Sequence, residues 1–281
     1  MAVVANVSDL LAVGAVPRAL MVSLVVPGSF DADDACAIVK GCEEACENHG
    51  IAFVGGDTKE GPTPQVIGAA WGTVEKGAAF GRASAKPGDY LFLAGKLGAF
   101  AGTLALLDVN PTLGEIPSEW IDTLIDPSAR VQEGRYLRES RRVAAACDLS
   151  DGLADALNIF CTGGVGITLS ESKFPMHPIA IQASEKTGVP LWKFAMGVGD
   201  WAIACVVSEK DVAAFRPSAH RDLDIFEVGR FDGMGRKLIC DGEGAKHELP
   251  ALVNEHFRRR LEDDGAYLKS QLYEPSQKTS I

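Results

Sequence analysis

The sequence predicts an α/β protein, a layered stack of sheet and helix. Apolar strand-like runs alternate with segments of helical period along most of the 281 residues, the pattern that layered sheet-and-helix folds require. The composition, 47% hydrophobic and 23% charged, is that of an ordinary globular chain rather than a disordered one. The length suits two modest domains or one large one.

The elements follow in order. Ala2–Val13 reads as the end of a helix, closed by Gly14 and followed by Pro17. Ala19–Val26 is a strand. Asp31 opens a helix with apolar positions at Ala35, Ile38, Val39, Cys42 and Cys46, stopped by Gly50. Ile51–Val54 is a short strand expected to run into a turn at Gly55-Gly56-Asp57-Thr58, and Gln65–Val74 is another strand. The polar stretch Glu75–Gly88 reads as a domain junction. Beyond it come a strand at Tyr90–Ala94, a helix at Ala99–Leu107 and a proline-punctuated connection at 111–126. A charged helix over 128–141 leads into the strand Val143–Cys147. Asp148-Leu149-Ser150-Asp151-Gly152 follows at once, and the next helix carries Leu153, Ala156, Leu157 and Phe160 on one face. Later strands are expected at Gly166–Leu169, Trp201–Val207, Phe226–Phe231 and Lys237–Cys240, with a polar, fraying end after Leu261.

The charge balance narrows the function. A net charge of −11 leaves no basic excess to neutralise a nucleic-acid backbone, although an acidic protein still binds anionic nucleotides when metal ions bridge the two. No apolar run reaches the roughly 18 residues of a membrane span, and no basic segment precedes Ala19–Val26 to make it a signal peptide. Seven cysteines without a Cys-x-x-Cys pair predict reduced thiols in a cytoplasmic protein. Cys42, Cys46 and His49 share a helix face, yet a zinc site needs a fourth ligand. Small buried core residues are the better reading of the two thiols.

The recurrent chemical device is an aspartate at the end of a strand or helix, beside glycine or a hydroxyl. Asp9 stands in Asn-Val-Ser-Asp, Asp57 in Gly-Gly-Asp-Thr, and Asp148 and Asp151 in Asp-Leu-Ser-Asp-Gly. Magnesium suits such positions, because it takes hard oxygens and is usually held by one or two carboxylates plus substrate phosphates. Gly55, Gly56 and Gly152 let backbone approach a phosphate closely, and the helix after Gly152 aims free N–H groups at an anion. Taken singly, Asp151 also reads as a helix cap and Asp57 as a turn former.

Other nucleotide and hydrolase signatures are absent. There is no G-x-x-x-x-G-K-[ST] loop, Gly95, Gly98 and Gly102 are wrongly spaced for a dinucleotide site, and neither G-x-S-x-G nor H-E-x-x-H occurs. With positive charge scarce, Lys59, Arg82 and Lys86 near the glycine turns are the candidate phosphate clamps, each weighed against a solvated surface cation.

These motifs, in this order, resemble the thiamine-monophosphate kinases within the aminoimidazole ribonucleotide synthetase (PurM-like) superfamily. NVSDLLAVGAVP at 6–17 is similar to the N-[LI]-SD-x-A-A-M-G-A-x-P segment, GGDTKEGP at 55–62 to GGDT-x-x-G-P, and GRASAKPGD at 81–89 to R-S-G-A-K-P-G-D. DPSARVQEG at 126–134 and CDLSDGLADALNIF at 147–160 complete the series. The resemblance implies an N-terminal α/β domain over 1–80 whose mixed sheet forms a barrel across a homodimer. It further implies a larger C-terminal α/β domain over 81–265, with 266–281 a polar tail. It implies Asp9, Asp57, Asp148 and Asp151 as magnesium ligands, Asp148 and Asp151 also serving catalysis. Asp57, Thr58, Arg82, Ser150 and Gly152 would bind ATP, and Asp200 and Trp201 the phosphorylated acceptor. Direct transfer of the γ-phosphoryl group to thiamine monophosphate is the implied reaction. An AIR synthase-like ATP-dependent ligase and an impaired nucleotide-binding homologue are the alternatives. Two departures accompany the resemblance. The family's G-D-D-A segment and [ST]-x-D strand, which precede the N-[LI]-SD motif, are missing ahead of Asn6 here, so a truncated N-terminal domain is expected. The G-G-E-D-Y-E signature stands here as Gly197-Val198-Gly199-Asp200-Trp201-Ala202, keeping the aspartate and neither glutamate.

Overall fold

A computed structural model describes residues 1–110, 116–216 and 222–249. The expected tail at 266–281, and the end of the expected domain 81–265, lie outside the described residues. Two sheets, both mixed, organise the chain. Helix α1 (Ala2–Ala12) leads into β1 (Val16–Val26), and helix α2 (Ala32–Asn48) crosses to β2 (Ala52–Glu60), which lies parallel to β1. Strand β3 (Gln65–Thr73) returns antiparallel on the other side of β1. The start of α2 is chemically specified: the Asp31 carboxylate accepts from the N–H groups of Asp33 and Asp34, and those two acids sit at the positive end of the helix dipole.

The second sheet has seven strands. Its elements are β4 (Tyr90–Ala94), α3 (Ala99–Asp108), α4 (Ser118–Ile125), α5 (Val131–Ser140), β5 (Val143–Asp148), α6 (Leu153–Phe160) and β6 (Gly166–Ser170). A 3-10 turn at Glu171–Lys173 precedes α7 (Pro178–Thr187), α8 (Leu191–Ala195), β7 (Ile203–Val207) and α9 (Val212–Phe215). Then come β8 (Ile225–Asp232), β9 (Lys237–Cys240) and β10 (Lys246–Glu248), in the spatial order β10-β9-β6-β8-β4-β7-β5.

Strand periodicity shows how the layers pack. Leu91 and Leu93 of β4 join Ala204 and Val206 of β7 against Leu153, Leu157 and Phe160 of α6. The alternate residues Phe92, Ala94, Ile203, Cys205 and Val207 face Val3, Val4, Val7 and Leu11 of α1, and the same cluster includes Leu20 and Val22 of β1. Helix α1 is therefore sandwiched between the two sheets. Its neighbour α5 carries Gly134, where a Cβ would stand 2.8 Å from the Leu11 side chain, so only glycine leaves Leu11 its place.

Several expectations need correction. Gly-Gly-Asp-Thr is not a turn, because β2 runs through it. Gly55 (φ 89°) lies at a bulge, where β1 advances from Leu20 to Val22 while β2 advances from Phe53 to Gly56. At Gly56 a Cβ would lie 1.7 Å from the Val22 carbonyl oxygen, so the second glycine serves strand approach. The connection at 111–126 contains α4, anchored by the buried Trp120. The expected strand at 201 starts at Ile203, because Gly199 and Trp201 both take positive φ. Helices α7, α8 and α9 and strand β10 lay beyond the sequence reading. The cysteine expectation stands: all seven are free, and burial raises Cys42 and pushes Cys46 up to about 11. Among the described residues no helix is long and apolar enough to cross a membrane.

The wedge position of α1 sets a stability prediction. Leu11→Ala is expected to lower the unfolding free energy by about 2–5 kcal/mol, read from urea denaturation. An unchanged midpoint would show that α1 lies outside the cooperative core.

Candidate active site

Three separate parts of the chain meet at the C-terminal end of β5. The segment before β4 runs along that strand, Gly81 bridging Ala145 and accepting from the Ala146 N–H. This places the Arg82 guanidinium 3.3 Å from Asp148 Oδ1. Asp148 is buried, and Ser150 Oγ donates to its other oxygen at 2.5 Å. Helix α1 brings Asp9 into the same field. Partial loss of water raises the Asp9 pKa, and the charges of Asp148 and Asp151 push it further against the pull of Arg82. The stretch read as a domain junction is thus a strut that positions the arginine.

Gly152 rather than Asp151 is the N-cap of α6. The glycine is needed twice over: its φ is 88°, and a Cβ would stand 2.5 Å from the Met196 carbonyl oxygen. That contact presses segment 196–201 onto the Asp148–Gly152 turn. A hydrogen bond from the Gly199 N–H to the Ser150 carbonyl, 3.0 Å, fastens it there.

One acid in this group escaped the sequence reading. Asp155 stands one helical turn after Asp151, and its pKa is raised by desolvation and by Asp151, then Asp148, with Arg82 and Lys237 opposing. Its i+4 spacing from Asp151 was the available signal. Ser8 Oγ, beside Asp9, is buried without a hydrogen-bond partner.

Asp57 is placed differently. It pairs with Ser23, which pairs with Ile67, so its side chain leaves the sheet on the face away from α1, whose Asn6 packs on Gly68. Its carboxylate is exposed and lies 3.2 Å from Lys59 Nζ, while Thr58 donates its N–H to Asp57. Lys86 is exposed in the turn before β4, where its backbone N–H donates to Asp89. The described chain therefore brings Asp9, Arg82, Asp148, Ser150, Asp151 and Gly152 together, and holds Asp57, Thr58 and Lys59 on β2.

Whether magnesium fits is a question of donor chemistry. Asp9, Asp148, Asp151 and Asp155 repel one another, with Arg82 and Lys237 as the opposing cations. A hard divalent cation relieves that repulsion. Among the described residues no three acidic, histidine or thiol groups form a ready cage, which matches an ion that takes one or two carboxylates and completes its shell with phosphate and water. The carboxylates present fit such an ion.

Asp200 and Trp201 line a separate cavity of about 330 Å³, together with Lys96, Arg130 and His177. Asp200 is buried and accepts from the N–H groups of Gly98 (2.6 Å) and Phe100 (3.4 Å), so it caps α3. Burial pushes its carboxyl up to about 7, against the lowering effect of those N–H groups and of Arg130. Trp201 has φ 51°, a left-handed backbone costing about 1–2 kcal/mol for a non-glycine residue. The segment carrying Arg130 is tied to α2 through His49. The Ala129 N–H donates to His49 Nε2 at 3.1 Å, which leaves the proton on Nδ1 to reach the Ala45 carbonyl at 2.7 Å. His49 is thereby a structural link.

Fold and sequence agree on the class: residues 1–74 match the AIR synthase related protein, N-terminal domain. The thiamine-monophosphate kinase of Pyrococcus horikoshii is 34% identical over 255 residues, covering 90% of this chain and 77% of its own. That of Bacillus subtilis is 34% identical over 181 residues, or 63% of this chain, which spans 55% of that relative's length. The crystal structure of thiamine monophosphate kinase from Aquifex aeolicus superposes with a TM-score of 0.71 at 25% identity, covering 84% of this chain and 78% of that one. The chain belongs to the thiamine-monophosphate kinase family.

The raised Asp200 carboxyl gives a pH prediction. Its folded pKa lies above its ordinary value, so its contribution to stability is present below about pH 4 and is lost as pH rises through about 7. Asp200→Asn is expected to flatten the fall in stability over that window, measured as urea midpoints at several pH values. Parallel pH profiles for the two proteins would refute the shift.

Proposed function

We infer that the chain is a magnesium- and ATP-dependent phosphotransferase that moves the γ-phosphoryl group of ATP directly to thiamine monophosphate, giving thiamine diphosphate. One observation carries this reading: Asp9 from the N-terminal helix and Asp148 and Asp151 from the β5–α6 turn share one electrostatic group around Arg82. The family supports the substrates, since a related structure is of AaThiL complexed with AMPPCP and TMP.

The chemistry asks little of covalent catalysis. The acceptor is a phosphate whose second ionisation lies near pH 6, so its oxygen is already an anion at neutral pH and needs no general base. That oxygen bonds to the γ-phosphorus, the bond to the β-phosphate oxygen breaks, and ADP leaves. Positioning and charge neutralisation then dominate. One or two of Asp9, Asp148 and Asp151 would hold magnesium, the rest of its shell coming from phosphate oxygens and water, while Asp57 and Thr58 stand apart on β2. Bound magnesium supplies neutralisation of the phosphate charge. Arg82 is suited to a phosphate oxygen, Ser150 orients Asp148, and Gly152 opens the backbone of the turn to close approach.

A second reading rests on Gly199 and Ala202, which stand where the kinase signature has glutamates. An AIR synthase-like enzyme that activates an oxygen before ligation would release orthophosphate instead. Product identification with magnesium, ATP and thiamine monophosphate separates the two: thiamine diphosphate and ADP in equal amounts are expected. In the same assay Asp151→Asn is expected to raise the apparent KM for magnesium-ATP at least tenfold with little change in Tm. A large loss of Tm with unchanged nucleotide binding would make Asp151 structural.

We propose that the chain divides into an N-terminal domain over 1–80 and a C-terminal domain over 81–265, a reading supported by the presence of two separate sheets. We propose further that the outer face of the three-stranded sheet closes against a second copy as a dimer barrel. Met21, Ile67 and Trp71 are 43%, 52% and 46% exposed there, and grouped apolar exposure of this kind marks an interaction face. Trp71→Glu is expected to convert a dimer to a monomer in light scattering. A wild-type protein that is already monomeric at micromolar concentration would remove the proposal.

A further inference from the structure

His49 ends α2 at a point where two parts of the chain meet. The helix closes tightly there: the His49 N–H bonds to the Ala45 and Cys46 carbonyls, and the Ile51 N–H returns to Cys46. The side chain reaches the segment that enters α5. Its Nε2 accepts the Ala129 N–H at 3.1 Å, while Nδ1 donates to the Ala45 carbonyl at 2.7 Å. Ala129 is buried and belongs to the same apolar cluster as Cys42, Cys46 and Ile51. Among the described residues no backbone carbonyl takes its N–H, so the imidazole satisfies a donor that would be costly to leave unmatched. Arg130 follows directly. Its arm runs against the end of β4, where a Cβ on Gly95 would stand 2.6 Å from its Nε, and it lines the cavity shared with Asp200 and Trp201. The backbone behind that arm is therefore held from α2, by a side chain whose protonation state matters.

We propose that His49 is a positioning residue with a built-in release: the neutral imidazole fixes the segment that presents Arg130, and protonation lets that segment go. A neutral imidazole has one N–H and one acceptor nitrogen, whereas an imidazolium has two N–H groups. Protonation would set an N–H of His49 against the N–H of Ala129, two donors facing each other across the present 3.1 Å. The bond to Ala45 survives, because Nδ1 donates in both states and a cation suits the carbonyl end of a helix. The loss falls on the link to Ala129. His49 is half-buried on the wall of a cavity of about 540 Å³, where water can deliver the proton. The charged groups around it are Arg130 and Glu133 from the segment entering α5, Asp222 before β8, and Glu47 on α2. One cation among three carboxylates leaves these surroundings able to receive a further positive charge. Histidine changes charge between about pH 5 and 8, which sets the window of the release.

The test is amide hydrogen exchange of the whole chain without ligand, read by mass spectrometry on peptides covering 127–132, at about pH 7.5 and about pH 5.5, either side of the ordinary histidine value. Protection of this segment, corrected for the intrinsic rate, is expected to fall roughly fivefold or more at the lower pH. His49→Phe, which offers no acceptor, should lack that protection at both values. His49→Gln, whose amide oxygen accepts but does not titrate, should show protection independent of pH. An unaltered chain whose protection ignores pH overturns the proposal, as does a His49→Gln chain that follows the unaltered one. If His49→Phe fails to fold, judged by its melt, the comparison with His49→Gln decides alone. A second measurement asks whether the release reaches the site, and it alone rests on the phosphotransferase reading. The fall in kcat/KM for thiamine monophosphate between the two pH values should be roughly threefold or more larger for the unaltered chain than for His49→Gln. Titration of the acceptor phosphate is common to both proteins and cancels in that comparison. Equal falls would overturn the positioning role. A chain that makes no thiamine diphosphate at either pH would sink the kinase reading, and the exchange result then decides the proposal by itself.

Discussion

Burial of one helix between two sheets holds the candidate site together. Val3, Val4, Val7 and Leu11 of α1 are almost fully buried, each worth about 1.5–3 kcal/mol when removed from water. They pack on β5 and β7 on one side and on β1 and β3 on the other. Asp9 lies on the same helix as these anchors, so packing on the apolar face dictates where its carboxylate stands. Without that wedge, Asp9 and Asp148 would belong to unrelated surfaces. The electrostatic group is in this sense a by-product of hydrophobic packing.

That group is costly on its own terms. Carboxylates gathered in partly desolvated surroundings raise one another's pKa, and the shifts of Asp9 and Asp155 record this. Arg82, more than half exposed, offsets only part of the repulsion, because solvent screens its pair with Asp148. Under the proposed function, such a cluster beside a glycine-backed helix start would suit a ligand that brings positive charge with it. A metal-bound nucleotide satisfies both the carboxylates, through the cation, and Arg82, through the phosphates.

Much of this was legible from sequence, for physical reasons. The β5 strand and the Asp148–Gly152 turn could be read because an apolar run ends abruptly in polar, glycine-bearing chain. The core strands β4 and β7 could be read because both of their faces are apolar. Gly55–Thr58 was misread as a turn because two adjacent glycines signal chain reversal, whereas here one makes a bulge and the other allows strands to touch. Helix α4 was hidden by its shortness and by having a single fully buried residue, Trp120, which is too little for a periodic signal. The face on which Asp57 emerges depends on the register of β2 after its bulge, and no local pattern reveals a register. Arg130 could be quoted within a motif but not singled out, since the unmatched burial of its Nε is a property of the folded chain.

The Asp148–Gly152 turn and the cavity lined by Asp200 and Trp201 therefore differ in how they are encoded. The turn sits in a short contiguous motif, because a strand end, a helix start and a carboxylate can be specified within a few positions. The cavity is assembled from β4's exit, α4, the segment before α5, and residues 199–201, which are remote in sequence. Such a site can change its charged groups one at a time while its shape, set by the α3 cap at Asp200 and the close approach at Gly152, stays the same. Asp200, between Gly199 and Trp201, caps α3 while buried. Asp200 thus has a role in the fold that does not depend on which ligand the cavity receives.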